Sequence, residues 1–302
     1  WDDHYLKNLP VHDLSLELEG DVTHDGHLYA NRQWDFIKSR QETFWGTFGS
    51  KLPDSMPQVA KVRVIVSEWP AGVATEHPPA YSIKTVVELD TEQSEDSIPI
   101  LTIGRYGCLQ HLDRPSDDAI LAMLNSSTTI LRLALQDLGP VCFPGTKIPL
   151  PGCVWPDEIL CALATAIWER GVDVEIIVSN PNAIPGGLSM TEANYGNGWD
   201  CVDVAAEIIK RIRRLYPDAE DGDLREKVVS NLRVAVIRNG GGSTWESGMN
   251  LGMHAKHFIV DDVCAYIGSQ NLYVCDLAEW GVVIDDAGQT EKFMEEYWNP
   301  MR

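Results

Sequence analysis

A chain of 302 residues with 44% apolar and 8% aromatic content can bury a sizeable core, as one large domain or two smaller ones. Its 45 acidic and 24 basic residues give a net charge of −21, which opposes nonspecific binding to nucleic acid or to an anionic membrane surface. No apolar run reaches the roughly 18–20 residues that a spanning helix needs, and the seven cysteines form no CxxC and hence no zinc pattern.

The chain opens at Trp1 without a secretory signal, so a mature or cut product is expected. The odd cysteine count and the Asn125-Ser126-Ser127 sequon lean towards an oxidising, secreted setting. Residues 1–13 show no periodicity; Leu14–Leu18 alternates apolar and polar, as a half-buried strand does. Gly20 ends it, and a helix is predicted over His27–Trp45. Lys61–Val66 is a second strand candidate. The stretch 69–97, with three prolines and an acidic patch, is expected to be an insert rather than core.

From Ile98 the signals become regular. A strand over Ile98–Ile103, a helix opened by Ser116-Asp117-Asp118 and a strand over Thr128–Leu135 follow in turn. Cys142 and Cys153 bracket a proline-rich loop and are candidates for a bridge. A helix over 157–170, a buried strand over Val174–Val178, a long Gly/Asn/Pro loop over 179–198, a helix over Cys201–Leu215 and a strand over Leu232–Ile237 come next. The basic run Lys210–Arg214 is expected to lie on a solvated face, favoured by the helix dipole. Gly240–Gly242 lacks a following Gly-Lys-Ser/Thr and is a loop rather than a phosphate cradle. Strands alternating with helices in this way indicate an α/β fold with a mixed, mostly buried central sheet.

The densest chemistry lies in Gly252–Trp280. His257–Val260 and Val263–Ile267 are predicted as short buried strands turning at Asp261-Asp262, and His254 and Lys256, two apart, share a face if extended. A histidine, an ammonium and further polar groups beside a core sheet suit phosphate chemistry. The ends of the chain also repeat a pattern: Asp13 and Glu279 are each followed by a strand, an Asp/Gly loop and a helix reaching Trp34 and Trp298.

The pattern His254-x-Lys256-(x4)-Asp261-(x6)-Gly268-Ser269-x-Asn271 closely resembles the HKD motif of the phospholipase D superfamily, and YIGSQNLY with the acid that follows resembles its bacterial-type secreted members. Residues 1–34 resemble the part after a first HKD motif, and Ile130–Leu138 the strand that opens a second lobe. The resemblance implies a phospholipase D-like α-β-α sandwich, with 1–45 as the tail of a first lobe and 46–302 as the second. Members of this type carry two motifs, and one is present among these residues, so the N-terminal HKD-bearing portion is expected as a cleaved fragment or separate subunit. A homodimer is disfavoured because Asp13 resembles the tail of a first motif.

In that family one histidine attacks phosphorus and the other protonates the leaving alcohol, tasks suited to a group titrating near neutrality. The resemblance gives His254 the general acid/base role, with no cofactor or metal required. Lys256 and Asn271 would hold the phosphoryl oxygens, and Ser269 would place those oxygens or the strand. Glu279 is expected to hold the second ring nitrogen of His254, Asp13 that of the upstream histidine, and Asp261 to fix turn structure. His257 is expected to be structural. Gln136 and Asp137 close a strand near the site, where one lines the pocket or both serve as a cap.

The implied activity is hydrolysis or transfer at a phospholipid head group, with peripheral membrane contact allowed and a nuclease of the same superfamily the least favoured reading, since a charge of −21 repels a polyanion. The alternative is a noncatalytic scaffold of the same fold.

Overall fold

A computed structural model describes residues 11–20, 22–33, 97–106, 115–143, 146–180, 183, 199–274 and 277–302. The chain divides into two compact units, Trp1–Glu17 with Ile98–Arg302, and Leu18–Ser97. Of the second unit, a helix over 22–33 is described (α1). It starts before the predicted His27, just after the turn in which the Thr23 N–H donates to the Gly20 carbonyl at 3.1 Å. Gly20 takes φ +87°, a left-handed conformation that suits a glycine. The predicted helix beyond residue 33, the strand Lys61–Val66 and the insert 69–97, apart from Ser97, lie outside the described residues.

In the first unit the expected strand Leu14–Leu18 does not form. The strand lies just upstream, β1 (Val11–His12), and Leu14 is instead a half-buried loop residue packed on apolar neighbours. Then come β2 (Ile100–Tyr106), α2 (Pro115–Ser126), β3 (Ile130–Leu135), α3 (Asp157–Trp168), β4 (Asp173–Val178), α4 (Cys201–Leu215), α5 (Asp221–Asn231) and β5 (Leu232–Val236). The motif region supplies β6 (Gly252–Met253), β7 (Lys256–Val260), β8 (Cys264–Gly268) and β9 (Ala278–Ile284). The described chain ends in α6 (Ala287–Phe293), one π-helical turn at Met294–Trp298, and α7 (Asn299–Met301). Helix α5 carries a weak apolar pattern, with Leu224 as its one fully buried residue, so its sequence offered no periodic signal.

Seven strands form one sheet in the order β2-β9-β8-β7-β3-β4-β5. β3, β4 and β5 run parallel, and β7, β8, β9 and β2 continue antiparallel, so the expected mixed sheet is present. Alternation along each strand builds two layers. Leu131, Leu133 and Leu135 of β3, Val174, Ile176 and Val178 of β4, and Phe258 and Val260 of β7 join the apolar sides of α2–α5 in one core. Ala134, Ile177 and Ile259 face the other way, into a second core with Trp298 and Met301. On that second face Arg132 is ion-paired with Glu175 and with Asp262, at 2.9 Å, and Arg302 reaches Glu175 at 3.0 Å. A buried guanidinium needs such pairing to offset its lost hydration.

Helix α4 starts where predicted because Asp200 and Asp203 form a capping box. Its basic run is not simply solvated: Arg211 is buried and paired with Asp157 at 3.1 Å and with Glu207, while Arg214 reaches Asp157 at 2.7 Å. Cys142 and Cys153, the candidate bridge, are not joined by a disulfide. Asp137 proves to be a cap, accepting the Leu138 and Gly139 N–H groups at 2.6 and 2.9 Å. No helix among the described residues is long and apolar enough to cross a membrane.

The β7–β8 hairpin turns at Asp261-Asp262, both at positive φ (53° and 58°), as in the two-residue turns whose twist matches a hairpin. The Asp261 carboxylate accepts the N–H groups of Thr128, Thr129 and Ile130 and both threonine hydroxyls, at 2.8–3.1 Å. Burial raises its pKa, but these bonds outweigh that and hold it at about 2. Asp261→Ala is expected to destabilise the chain by about 2–4 kcal/mol in urea unfolding, since it leaves several donors at the start of β3 without their acceptor. The wild-type contribution is complete above the ordinary 3.8 and fades as pH falls through about 2, so the variant's deficit should shrink on acidification.

Candidate active site

The site lies where β7 begins. β1 pairs in parallel with β6 through Val11↔Gly252 and His12↔Met253, and the His254 N–H then donates to the His12 carbonyl at 2.8 Å. That short ladder sets Asp13 beside the His254 ring. Nδ1 and the Asp13 Oδ2 are 2.9 Å apart, and the other carboxylate oxygen accepts the N–H of Leu14 at 2.9 Å. Nδ1 bonded to a carboxylate is the protonated ring nitrogen, which makes Nε2 the nitrogen that exchanges a proton with a substrate. The imidazole is about one-third exposed, at 35%, so such a substrate can reach it.

Lys256, first residue of β7, is buried and donates its ammonium to the His254 carbonyl. Burial lowers its pKa to about 8, although the charges of Asp13 and Glu279 act to raise it. The ammonium is therefore mostly protonated at pH 7 yet poorly hydrated, a condition in which it binds an anion strongly.

Glu279 sits on β9 opposite Arg105 of β2, and the two are ion-paired in the interior. Burial raises the Glu279 pKa, opposed by Arg105 and by the Asn271 N–H, which donates to Oε1 at 3.4 Å. The Asn271 side chain is buried, and its Oδ1 has no hydrogen-bond partner among the described residues. His254 with Asp13 and Lys256, and Glu279 with Asn271 and Arg105, thus form two bonded groups, near enough for the Glu279 charge to act on Lys256.

Two expected roles change. Asp13, not Glu279, holds His254, because β1 is the partner of the strand leading into that histidine. Glu279 is directed to Arg105 by the register of β2 on β9. Asp261 lies at the far end of β7, away from these groups, and is structural as expected. Ser269 is exposed and exchanges hydrogen bonds with the Trp280 backbone, its hydroxyl accepting from the N–H at 3.1 Å and donating to the carbonyl at 3.3 Å, so it fixes β8 to β9.

Gly268 is explained by packing. It pairs with Gly281 under the Tyr266 ring, and a Cβ there would fall 2.7 Å from the Gly281 backbone. His257 is fully buried and edge-on to Phe293, Tyr297 and Trp298. Burial, and then the charge of His12, lower its pKa to about 3, so it is neutral and structural.

Sequence reasoning missed Arg105, Asp117 and Gln270. Gln270 donates to Asp117 at 2.6 Å and accepts from Ser116, while Arg105 approaches Asp117 at 3.6 Å. Gln270 stands inside the motif and could have been suspected. Arg105 lies beyond the predicted end of its strand, and only the register with Glu279 reveals it.

Asp13→Asn should favour the wrong His254 tautomer, because the amide can present an N–H to Nδ1, and on the half-site function proposed below this should lower turnover about 10²–10⁴-fold. The His254 Nδ1–H resonance should disappear in the same variant, the ring proton moving to Nε2.

No protein-family model matches the chain. A curated phospholipase D of Streptomyces antibioticus is 23% identical over 332 aligned positions, covering 99% of this chain and 54% of that protein. The chain therefore spans about half the length of this relative. Among solved structures, a phospholipase D family member, Nuc from Salmonella typhimurium, is 17% identical with a TM-score of 0.37, over 68% of this chain and 97% of that one. NucT from Helicobacter pylori gives 13%, 0.38, 68% and 96% in the same terms. Phosphatidylserine synthase of Haemophilus influenzae gives 16%, 0.35, 67% and 38%. With the HKD spacing in its sequence, a carboxylate seating the motif histidine and a similarity to one phospholipase D running along nearly its whole length, the chain is similar to the phospholipase D superfamily.

Proposed function

We propose that these residues supply the second half-site of a phospholipase D-like phosphodiesterase acting on phospholipid head groups by hydrolysis or transfer. The observation that carries this is the His254–Asp13 pair with Lys256 bonded to the same histidine's carbonyl. The nucleophilic histidine would come from an HKD-bearing portion N-terminal to these residues, in the same precursor or a separate subunit. That imidazole attacks phosphorus, forming a P–N bond as the P–O bond to the head group breaks. His254 gives its Nε2 proton to the departing alcohol oxygen. It then takes a proton from water or an acceptor alcohol, whose oxygen displaces the histidine. Lys256 and Asn271 hold the non-bridging oxygens, whose charge must be balanced as the bonds change.

The crosswise pairing of Asp13 with His254 sharpens the role of Glu279. By the internal repeat, Glu279 is the acid left for the upstream nucleophile, with Arg105 holding it in place. The exposed Asn125 is compatible with a secreted setting, and the charge of −21 disfavours a nucleic-acid substrate.

The test is choline release from phosphatidylcholine by this chain with and without its N-terminal portion. Activity is expected from the pair. Full activity of these residues alone would refute the half-site account, and an inert intact pair would leave the noncatalytic scaffold.

A further inference from the structure

The segment after β3 leaves the sheet at its catalytic end. Ala134 of β3 pairs with His257 of β7, so the C-terminal end of β3 lies beside the start of β7, where Lys256 and His254 stand. From there the chain folds into a narrow hairpin. Cys142 bridges Pro149, the Phe143 N–H donates to the Ile148 carbonyl at 3.0 Å, and the Leu150 N–H to the Val141 carbonyl at 2.8 Å. Phe143 and Ile148 are 46% and 62% exposed on it, and Val154 and Val202 are also exposed.

These residues adjoin an aromatic anchor along the chain: Lys147, next to Ile148, reaches the Trp199 ring, Val154 precedes Trp155, and Val202 follows Trp199 by about one helical turn. Trp199 donates its indole N–H to the Pro140 carbonyl at 2.8 Å, stacks at a tilt on Trp155 (4.9 Å between ring centroids) and lies under the Lys147 ammonium at 5.9 Å. Lys147 also reaches Asp200 at 3.4 Å and bonds Asp203. The surface is therefore apolar, with half-buried tryptophans beneath it and an acidic rim that already holds one ammonium. Four exposed large apolar side chains, two on the hairpin and two next in sequence to a tryptophan pair or one turn from it, are candidates for one interaction surface.

We infer that the paired segments Val141–Phe143 and Thr146–Leu150, with Val154, Trp199 and Val202, dock on a zwitterionic phosphatidylcholine surface and so set His254 and Lys256 at the head-group layer; the inference rests on the phospholipid reading given above. Charge selects this partner. An acidic rim on a chain of net charge −21 repels phosphatidylserine but complements the outward trimethylammonium of choline lipids, which tryptophan faces also attract. The apolar tips enter the acyl boundary while the tryptophans stay at head-group depth.

The experiment is co-sedimentation of the 302-residue chain with phosphatidylcholine vesicles and with vesicles containing phosphatidylserine. Wild type should partition onto phosphatidylcholine, and the double variant Phe143→Ser, Ile148→Ser should bind at least about tenfold more weakly with an unchanged circular dichroism spectrum and melting curve. A phosphatidylserine fraction should weaken binding. Equal binding by the variant, no binding to phosphatidylcholine, or binding that grows with phosphatidylserine would each overturn the proposal. A second arm separates it from the catalytic reading. Turnover of a soluble short-chain phosphatidylcholine by the assembled enzyme, equal in wild type and variant, supports the surface as a docking element alone. Vesicle binding without any turnover would retain the surface and sink the catalytic reading.

Discussion

His254→Ala is expected to reduce choline release by the assembled enzyme about 10²–10⁴-fold, the usual worth of a positioned proton donor and acceptor. The substitution removes the side chain that Asp13 orients at 2.9 Å but leaves the backbone bond from residue 254 to His12, so the β1–β6 ladder should survive. Stability should move little, because the ring is about one-third exposed. The diagnostic result lies in the leaving group. An ester with a low-pKa leaving group, such as a nitrophenyl phosphodiester, needs little protonation and should lose much less rate than phosphatidylcholine. An equal loss on both substrates would assign His254 to nucleophilic attack instead of proton transfer.

Lys256→Met should have two opposite effects. Turnover should fall about 10²–10³-fold, as on removal of a main charge-stabilising donor, while stability at pH 7 should rise by about 2 kcal/mol. The sign follows from linkage. The folded-state pKa of about 8 lies below the ordinary 10.5, so the unfolded chain binds more protons between these values. Wild-type stability therefore increases as pH rises from 8 towards 10.5, and the charged lysine costs about 3 kcal/mol below pH 8. Its lost bond to the His254 carbonyl offsets part of the gain in the variant. Urea unfolding at pH 7 and pH 10 should show the advantage of methionine shrinking at the higher pH. Wild-type activity should carry an alkaline limb near pH 8, as the ammonium is neutralised. A variant less stable than wild type at pH 7 would mean that the ammonium is better compensated than burial implies.

Much of the fold was legible because local physics decided it. β4 and α4 were read from an apolar run and from a capped, strongly amphipathic period, and tertiary contacts only confirmed those signals. α5 and β1 were not legible: one is a polar helix with a single buried leucine, and the other a two-residue strand that exists only because β6 pairs with it. The alternation at Leu14–Leu18 pointed to a strand, but among the described residues no neighbouring strand supplies a ladder there, and alternation without a partner does not make one.

The candidate site divides in the same way. The resemblance of a local spacing to the HKD motif singled out His254, Lys256 and Asn271, and a turn role for Asp261, because the motif is short and written in residue types. It could not assign the carboxylates. Asp13 and Glu279 looked equivalent in the repeat, and which of them reaches His254 depends on strand register across 241 residues of chain. The same register placed Arg105 against Glu279 and left Lys256 buried enough to titrate near 8. Residue type and spacing determined which groups could act, and the pairing of β1 with β6 and of β2 with β9 decided which acid serves which partner. Hydrogen-bond direction and desolvation arise between segments far apart in sequence, and they exist only once the sheet is assembled.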